Sequence, residues 1–350
     1  MATTGDPIEY FIEDMERHGR SRRTRDAYER VLRDFRQFLA ERPSDDVRGQ
    51  SDLGVASHRE CLAWIHERRK SLASSTIASY ASYLHRFYSY MVEVGEFDSN
   101  PMTLVMEEMD ERIDGNPSRR DIPLDEMRTF VTSIDHPGER AIVLTLLKTG
   151  MRAGELANLD ARDVFLDDTR FPAASPRPEL QGKPDSIFIS SKPAAGERTN
   201  GERRTESNKR KRDTVVPVDP ELKRALQRWT WIRPDTPSPA NPLFVNTDHG
   251  WGERLGGSEI HYVVERHARD MGWYESNAGA GTNVTPHYFR HFFTTHLRDR
   301  TGDRGIVKYL RGDVASDVID TYTHNWGDRV RRVYEDTIYQ LVDVDGTSIT

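Results

Sequence analysis

The chain has 350 residues, of which 36% are hydrophobic and 31% charged, with one cysteine and a formal net charge of −7. That length exceeds what a single core usually organises, so two domains are expected. A lone cysteine excludes a disulfide framework or a cysteine-rich zinc site. With no long apolar run or leader-like segment, the expectation is a soluble, cytoplasmic protein.

Asp6-Pro7 makes a helix start, and Ile8, Phe11, Ile12 and Met15 follow at helical spacing. A second helix opens near Ser21 to Thr24 and carries Ala27, Tyr28, Val31, Leu32, Phe35, Phe38 and Leu39 on one face. A third begins with Ser57 and Glu60 as a capping box and buries Cys61, Trp64 and Ile65. A fourth runs from about Ser75 through Tyr80, Leu84, Phe87, Tyr88 and Met91 to a stop near Gly95. These four predict a compact helical domain over residues 1–105, followed by a polar linker over 106–121. A second domain over 122–341 is read as mainly α, with one strand pair at Ser186 to Ser190 and Thr214 to Val218. Between those strands, Pro193 to Thr205 lacks hydrophobic periodicity and reads as a mobile loop. Residues 342–350 form a tail.

Taken alone, the acidic balance argues against a nucleic-acid partner, but the cations are clustered. Arg20, Arg22, Arg23 and Arg25 head the second helix, and Arg210, Lys211 and Arg212 close a basic run that begins at Arg203. Both are candidate DNA contacts. Only eight of the fifty cations are lysines. Arginine excess over an acid-rich background fits a salty cytoplasm, and a GC-rich genome would also favour it.

Three segments carry the chemistry: Thr149-Gly150-Met151-Arg152-Ala153-Gly154-Glu155, His287-Tyr288-Phe289-Arg290-His291, and Tyr322-Thr323-His324. Singly each has a bland reading, as a capping arginine, a solvated helix face or a filler tyrosine. The spacing HxxRH puts His287, Arg290 and His291 on one helix face. A zinc pair there is disfavoured, because no third ligand sits at a fitting spacing and Arg290 would repel the ion.

In combination, Arg152, a hairpin lysine, HxxRH and a tyrosine about thirty residues on resemble the tyrosine recombinase/integrase family of phage integrases and Xer-type recombinases. The likeness covers nearly the whole chain. The N-terminal helices resemble that family's core-binding, SAM-like domain, and the rest its catalytic domain. The resemblance implies a site-specific recombinase that cleaves and rejoins DNA through a 3′-phosphotyrosyl link, without metal or other cofactor. It also implies a duplex DNA partner and assembly into dimers or tetramers on DNA.

Physical roles fit these residues. Guanidiniums of Arg152 and Arg290 can clamp the phosphate oxygens, and Tyr322 is the nucleophile. The lysine that protonates the 5′-oxygen matches Lys209; Lys211 competes, and Lys192 serves if the insertion is placed differently. His287 matches a histidine that assists at the phosphate. Glu155 is expected to orient Arg152, and His291 to pack and hydrogen-bond in support. At the family's third box, usually Gly-His or Gly-Trp, stands Gly312-Asp313. A carboxylate there would repel phosphate if it faced inward; it can also pair with a clamp arginine, accept the tyrosine proton or turn away. A DNA-binding protein of the same fold with weakened catalysis is the alternative reading. Val330, Val333, Ile338 and Leu341 form an amphipathic tail, expected to pack on its own domain or to dock on a neighbouring copy.

Overall fold

The computed structural model describes residues 5–41, 53–111, 119–167, 176–276, 278–279, 281–313 and 326–342. It divides into two units, residues 1–118 and 119–350, each with its own core.

In the first unit α1 (Pro7–Arg17), α2 (Arg22–Glu41), α3 (His58–Arg69), α4 (Ser74–Glu93) and α5 (Met102–Glu108) surround one core. The caps are those the sequence encodes. Asp6 accepts from the Ile8 N–H at 3.0 Å, and the Ser57–Glu60 box closes in both directions. Trp64 is fully buried and donates its indole N–H to Asp34 at 3.0 Å. Cys61 is fully buried beside it, and burial pushes its thiol up to about 12, so it serves as packing. One element lies where a linker was expected. Pro101 stands at the head of α5, where its missing N–H costs nothing, and Met102, Val105 and Met109 fill the core of this unit. The first unit therefore runs past residue 105.

The second unit opens with α6 (Leu124–Thr132), α7 (Pro137–Thr149) and α8 (Ala153–Ala157). Five strands follow: β1 (Val164–Phe165), β2 (Ser186–Ile189), β3 (Arg198–Thr199), β4 (Glu202–Arg203) and β5 (Thr214–Pro217). Helices α9 (Pro220–Ile232), α10 (Gly257–Asp270), α11 (Pro286–Thr301), α12 (Arg304–Arg311) and α13 (Trp326–Thr337) complete it. From Ala141 to Thr149 every residue of α7 is buried, as suits a helix packed between α9 and α11. The expected strand pair is present as antiparallel β2 and β5, with Ile187 opposite Val216. β1 adds a third strand, but its two residues are too short to show a period in the sequence.

One expectation fails here. The stretch 193–205 is a defined hairpin, β3 with β4, rather than a mobile loop. Its anchor is Asp160, which is fully buried and meets Arg204 at 2.7 Å, Arg254 at 2.5 Å and the Asn200 amide. Glu202 meets Arg254 at 2.6 Å from the hairpin itself. An ion network therefore holds a segment that has no apolar pattern. Of the two readings of the tail, packing on its own unit is the one seen here. Val330, Tyr334, Tyr339, Leu341 and Val342 are all buried in the second core.

Candidate active site

Two left-handed glycines aim the basic side chains. α7 ends at Gly150 (φ +62°), where a Cβ would overlap the Phe293 ring, and the chain turns at once so that Arg152 heads α8. The Arg152 guanidinium is tied to Glu155 at 2.9 Å, and the same carboxylate accepts from the Arg152 backbone N–H at 3.1 Å. Glu155 is fully buried. Its other ion pair, at 3.2 Å, is with Arg210, itself buried.

α11 supplies Arg290, only 2% exposed, whose guanidinium donates to the Gly150 carbonyl at 2.7 Å and the Arg311 carbonyl at 3.1 Å. Burial, then repulsion from Arg152 and Arg311, lowers Arg290 to about 9, so it remains a cation at neutral pH. His287 lies on the same helix. Desolvation, followed by the charges of Arg119, Arg290, Arg152 and Arg311, lowers its pKa, so the imidazole is neutral at pH 7.

α12 ends at Gly312 (φ +67°), and Asp313 follows. The Asp313 carboxylate faces inward. It pairs with Arg290 at 3.0 Å, Arg311 at 2.9 Å and Arg152 at 3.7 Å. Three guanidiniums thus converge on one anion. Arg311 is the member that sequence reasoning missed; its signal was its place beside Gly312-Asp313.

The basic run before β5 divides by burial. Arg210 was grouped with the DNA contacts, but it is buried under Gly312, donating to the Leu310 carbonyl at 2.9 Å, and so cannot meet DNA from there. Arg212 is half-buried, stacked 4.8 Å over the Tyr309 ring. Lys209 and Lys211 are exposed, and the Lys211 N–H donates to the Gly312 carbonyl at 3.0 Å. Asn208 joins this turn to its surroundings. It accepts from Asn158, just past α8, at 2.9 Å and donates to the Ser190 carbonyl at 2.9 Å, while its N–H bonds the Pro193 carbonyl. Lys192, also exposed, borders the same turn.

His291 departs from its expected supporting role. It is exposed, and its ring lies 6.3 Å from that of Tyr288, with no hydrogen bond among the described residues. Tyr322 and its flanking Thr323-His324 lie outside the described residues. In the first unit Arg20, Arg22 and Arg23 are exposed, whereas Arg25 is drawn into an ion pair with Glu16 at 2.5 Å. Among the described residues no group of three His, Cys, Asp or Glu side chains comes together as a metal site, and no helix is long and apolar enough to cross a membrane.

This arrangement can bind a doubly coordinated oxyanion at two buried or half-buried guanidiniums beside a neutral imidazole. Comparisons with known proteins give the family and the fold. The family model for the phage integrase family matches residues 122–327, and that for the phage integrase N-terminal SAM-like domain matches residues 8–95. Tyrosine recombinase XerC of Pelobacter propionicus is 25% identical over 317 residues, covering 88% of this chain and 87% of that protein. Its namesake in Vibrio parahaemolyticus is 24% identical, covering 91% and 88%. Among solved structures, the Tn1549 transposon integrase in complex with a circular intermediate DNA shares the fold, with a TM-score of 0.61 at 18% identity, covering 93% of this chain and 98% of that one. A lambda integrase tetramer bound to a Holliday junction gives 0.62 at 13% identity, covering 89% and 77%.

Proposed function

The chain belongs to the phage integrase family, and on that basis we propose that it is a site-specific DNA recombinase that cuts and rejoins strands through Tyr322. The observation that carries this reading is the convergence of Arg152 and Arg290 on a single anion, beside a neutral His287. A phosphodiester under attack gathers charge on its non-bridging oxygens, and two fixed guanidiniums stabilise that charge more than they stabilise the ground state. No metal is needed for this.

In the proposed reaction the Tyr322 phenol passes its proton to the His287 imidazole, and its oxygen bonds to phosphorus as the bond to the 5′-oxygen breaks. The product is a 3′-phosphotyrosyl link and a free 5′-hydroxyl. Lys209 donates the proton that the leaving oxygen takes up, with Lys211 and Lys192 around the same turn as competitors. Rejoining runs the same steps backwards with a 5′-hydroxyl from another strand, so the link conserves the energy of the broken bond. The partner is duplex DNA carrying defined sites. Arg20, Arg22, Arg23 and Lys211 are exposed cations able to reach phosphates. We extend to this chain the dimeric or tetrameric assembly on DNA seen for lambda integrase, without assigning the buried tail to it.

Incubating the protein with a cognate duplex and denaturing in SDS tests the reading. A covalent protein–DNA adduct is expected, unaffected by chelators and absent in Tyr322→Phe. Lys209→Ala should slow its formation by about 10²-fold or more. Adduct formation by Tyr322→Phe at the parent rate would overturn the nucleophile assignment.

A further inference from the structure

The anion held in the arginine cluster belongs to the protein itself. Asp313 offers two carboxylate oxygens to Arg290 (3.0 Å), Arg311 (2.9 Å) and Arg152 (3.7 Å), and its side chain is 29% exposed, within reach of solvent. None of the clamp arginines depends on it for direction. Arg290 is oriented by the carbonyls of Gly150 and Arg311, and Arg152 by the buried Glu155. Removing the Asp313 charge would therefore leave both guanidiniums pointing where they point now, with their remaining donors free. What the carboxylate contributes is occupancy, because a phosphodiester presents the same motif of two anionic oxygens to the same donors.

We propose that Asp313 is a resident competitor for phosphate: it fills the Arg152–Arg290 clamp in the DNA-free protein and withdraws onto Arg311 when the phosphodiester arrives. This rests on the clamp being the phosphodiester site. A lone anion must displace a tethered carboxylate, so free phosphate and stray backbone contacts bind weakly. A cognate duplex gains contacts elsewhere that offset the displacement. The device makes the clamp selective for phosphate delivered by a properly seated duplex.

The test titrates the full chain and Asp313→Asn with inorganic phosphate, followed by calorimetry. Asp313→Asn keeps the shape and removes the charge, and it should bind phosphate about tenfold more tightly or better. Equal or weaker binding by a variant with an unchanged melting temperature would overturn the proposal. A measurement on the parent guards against a variant that does not fold. Saturating phosphate should shift the carboxyl carbon resonance of Asp313, and an unmoved resonance would equally overturn it. The adduct assay keeps the two readings apart. An adduct with no gain in phosphate affinity sinks the competitor alone, whereas tighter phosphate binding with no adduct on any duplex sinks the recombinase reading alone.

Discussion

At Gly312 one missing side chain lets two charged layers meet. Its φ of +67° is strained for any L residue, and a Cβ there would overlap the Arg210 side chain, which pairs with Glu155 beneath the clamp. Gly302 shares the conformation (φ +64°) with nothing near its would-be Cβ. Gly302→Ala should then cost about 1 kcal/mol, and Gly312→Ala about 2–4 kcal/mol, since overpacking adds to the strain. Urea unfolding of the two variants measures the difference, and equal losses would refute the role of the contact. His287 gives a second prediction. Its folded pKa lies below the ordinary 6.5, so the folded chain binds fewer protons than the unfolded one as pH falls through that value. Stability contributed by neutral His287 is thus complete above pH 6.5 and declines as pH drops toward the lowered value. Arg119→Gln should raise the NMR titration midpoints of both His287 and His291, because Arg119 follows desolvation as the leading cause at each. Unmoved midpoints would remove Arg119 from the site. The sequence made Arg152, His287 and Arg290 legible because their order and spacing are unusual in combination. Arg210 was misread because nothing in the run marks which cation turns inward: the stretch precedes β5 and has no strand or helix period, and only the contact with the Leu310 carbonyl and Glu155 buries Arg210 while Lys209 and Lys211 stay exposed.

Among the elements, the legible ones are those with sustained apolar periodicity, and those missed are either too short to show it or held by charge. α1 to α4 announce themselves through helical spacing, α1 and α3 through caps as well, and β2 and β5 through apolar runs. α5 is only seven residues long, and Pro101 masks it by reading as a breaker. The β3–β4 hairpin carries no hydrophobic signal, because its anchor is the carboxylate of Asp160, far away in the sequence, between Arg204 and Arg254. Its strands pair only Arg198 with Arg203 and Thr199 with Glu202, too little to persist unaided. Asp160→Ala should leave two buried guanidiniums with only Glu202 between them, at about 3–5 kcal/mol. Amide exchange over 198–204 should quicken in the variant more than exchange in α7. Uniform protection across both would mean that the hairpin is held by something other than this network.

For the whole molecule, two closed cores predict that fragments 1–118 and 119–350 fold separately, and the tail decides what the second needs. Lys148, in the last full turn of α7, is fully buried with its ammonium on Asp219 at 2.7 Å, on Glu221 and on the Tyr339 carbonyl. One ammonium faces two carboxylates, and the surplus negative charge is met by the N–H groups of Leu341 and Val342, which donate to Glu221 at 2.7 and 3.0 Å. The segment after α13 is thus part of a buried ion cluster as well as of the apolar core. Cutting the chain after Thr337 would strip Glu221 of both donors, take one acceptor from Lys148 and expose the pockets of Tyr339, Leu341 and Val342. A loss of at least about 4 kcal/mol is expected for fragment 119–350, read from its urea midpoint. The cluster also lies two residues before Gly150, whose carbonyl orients Arg290, so adduct formation should fall with stability. A tail that worked by docking on a neighbour would behave differently. Its removal would spare the stability of the isolated fragment and abolish only concentration-dependent assembly, an outcome that would return the segment to the surface between copies.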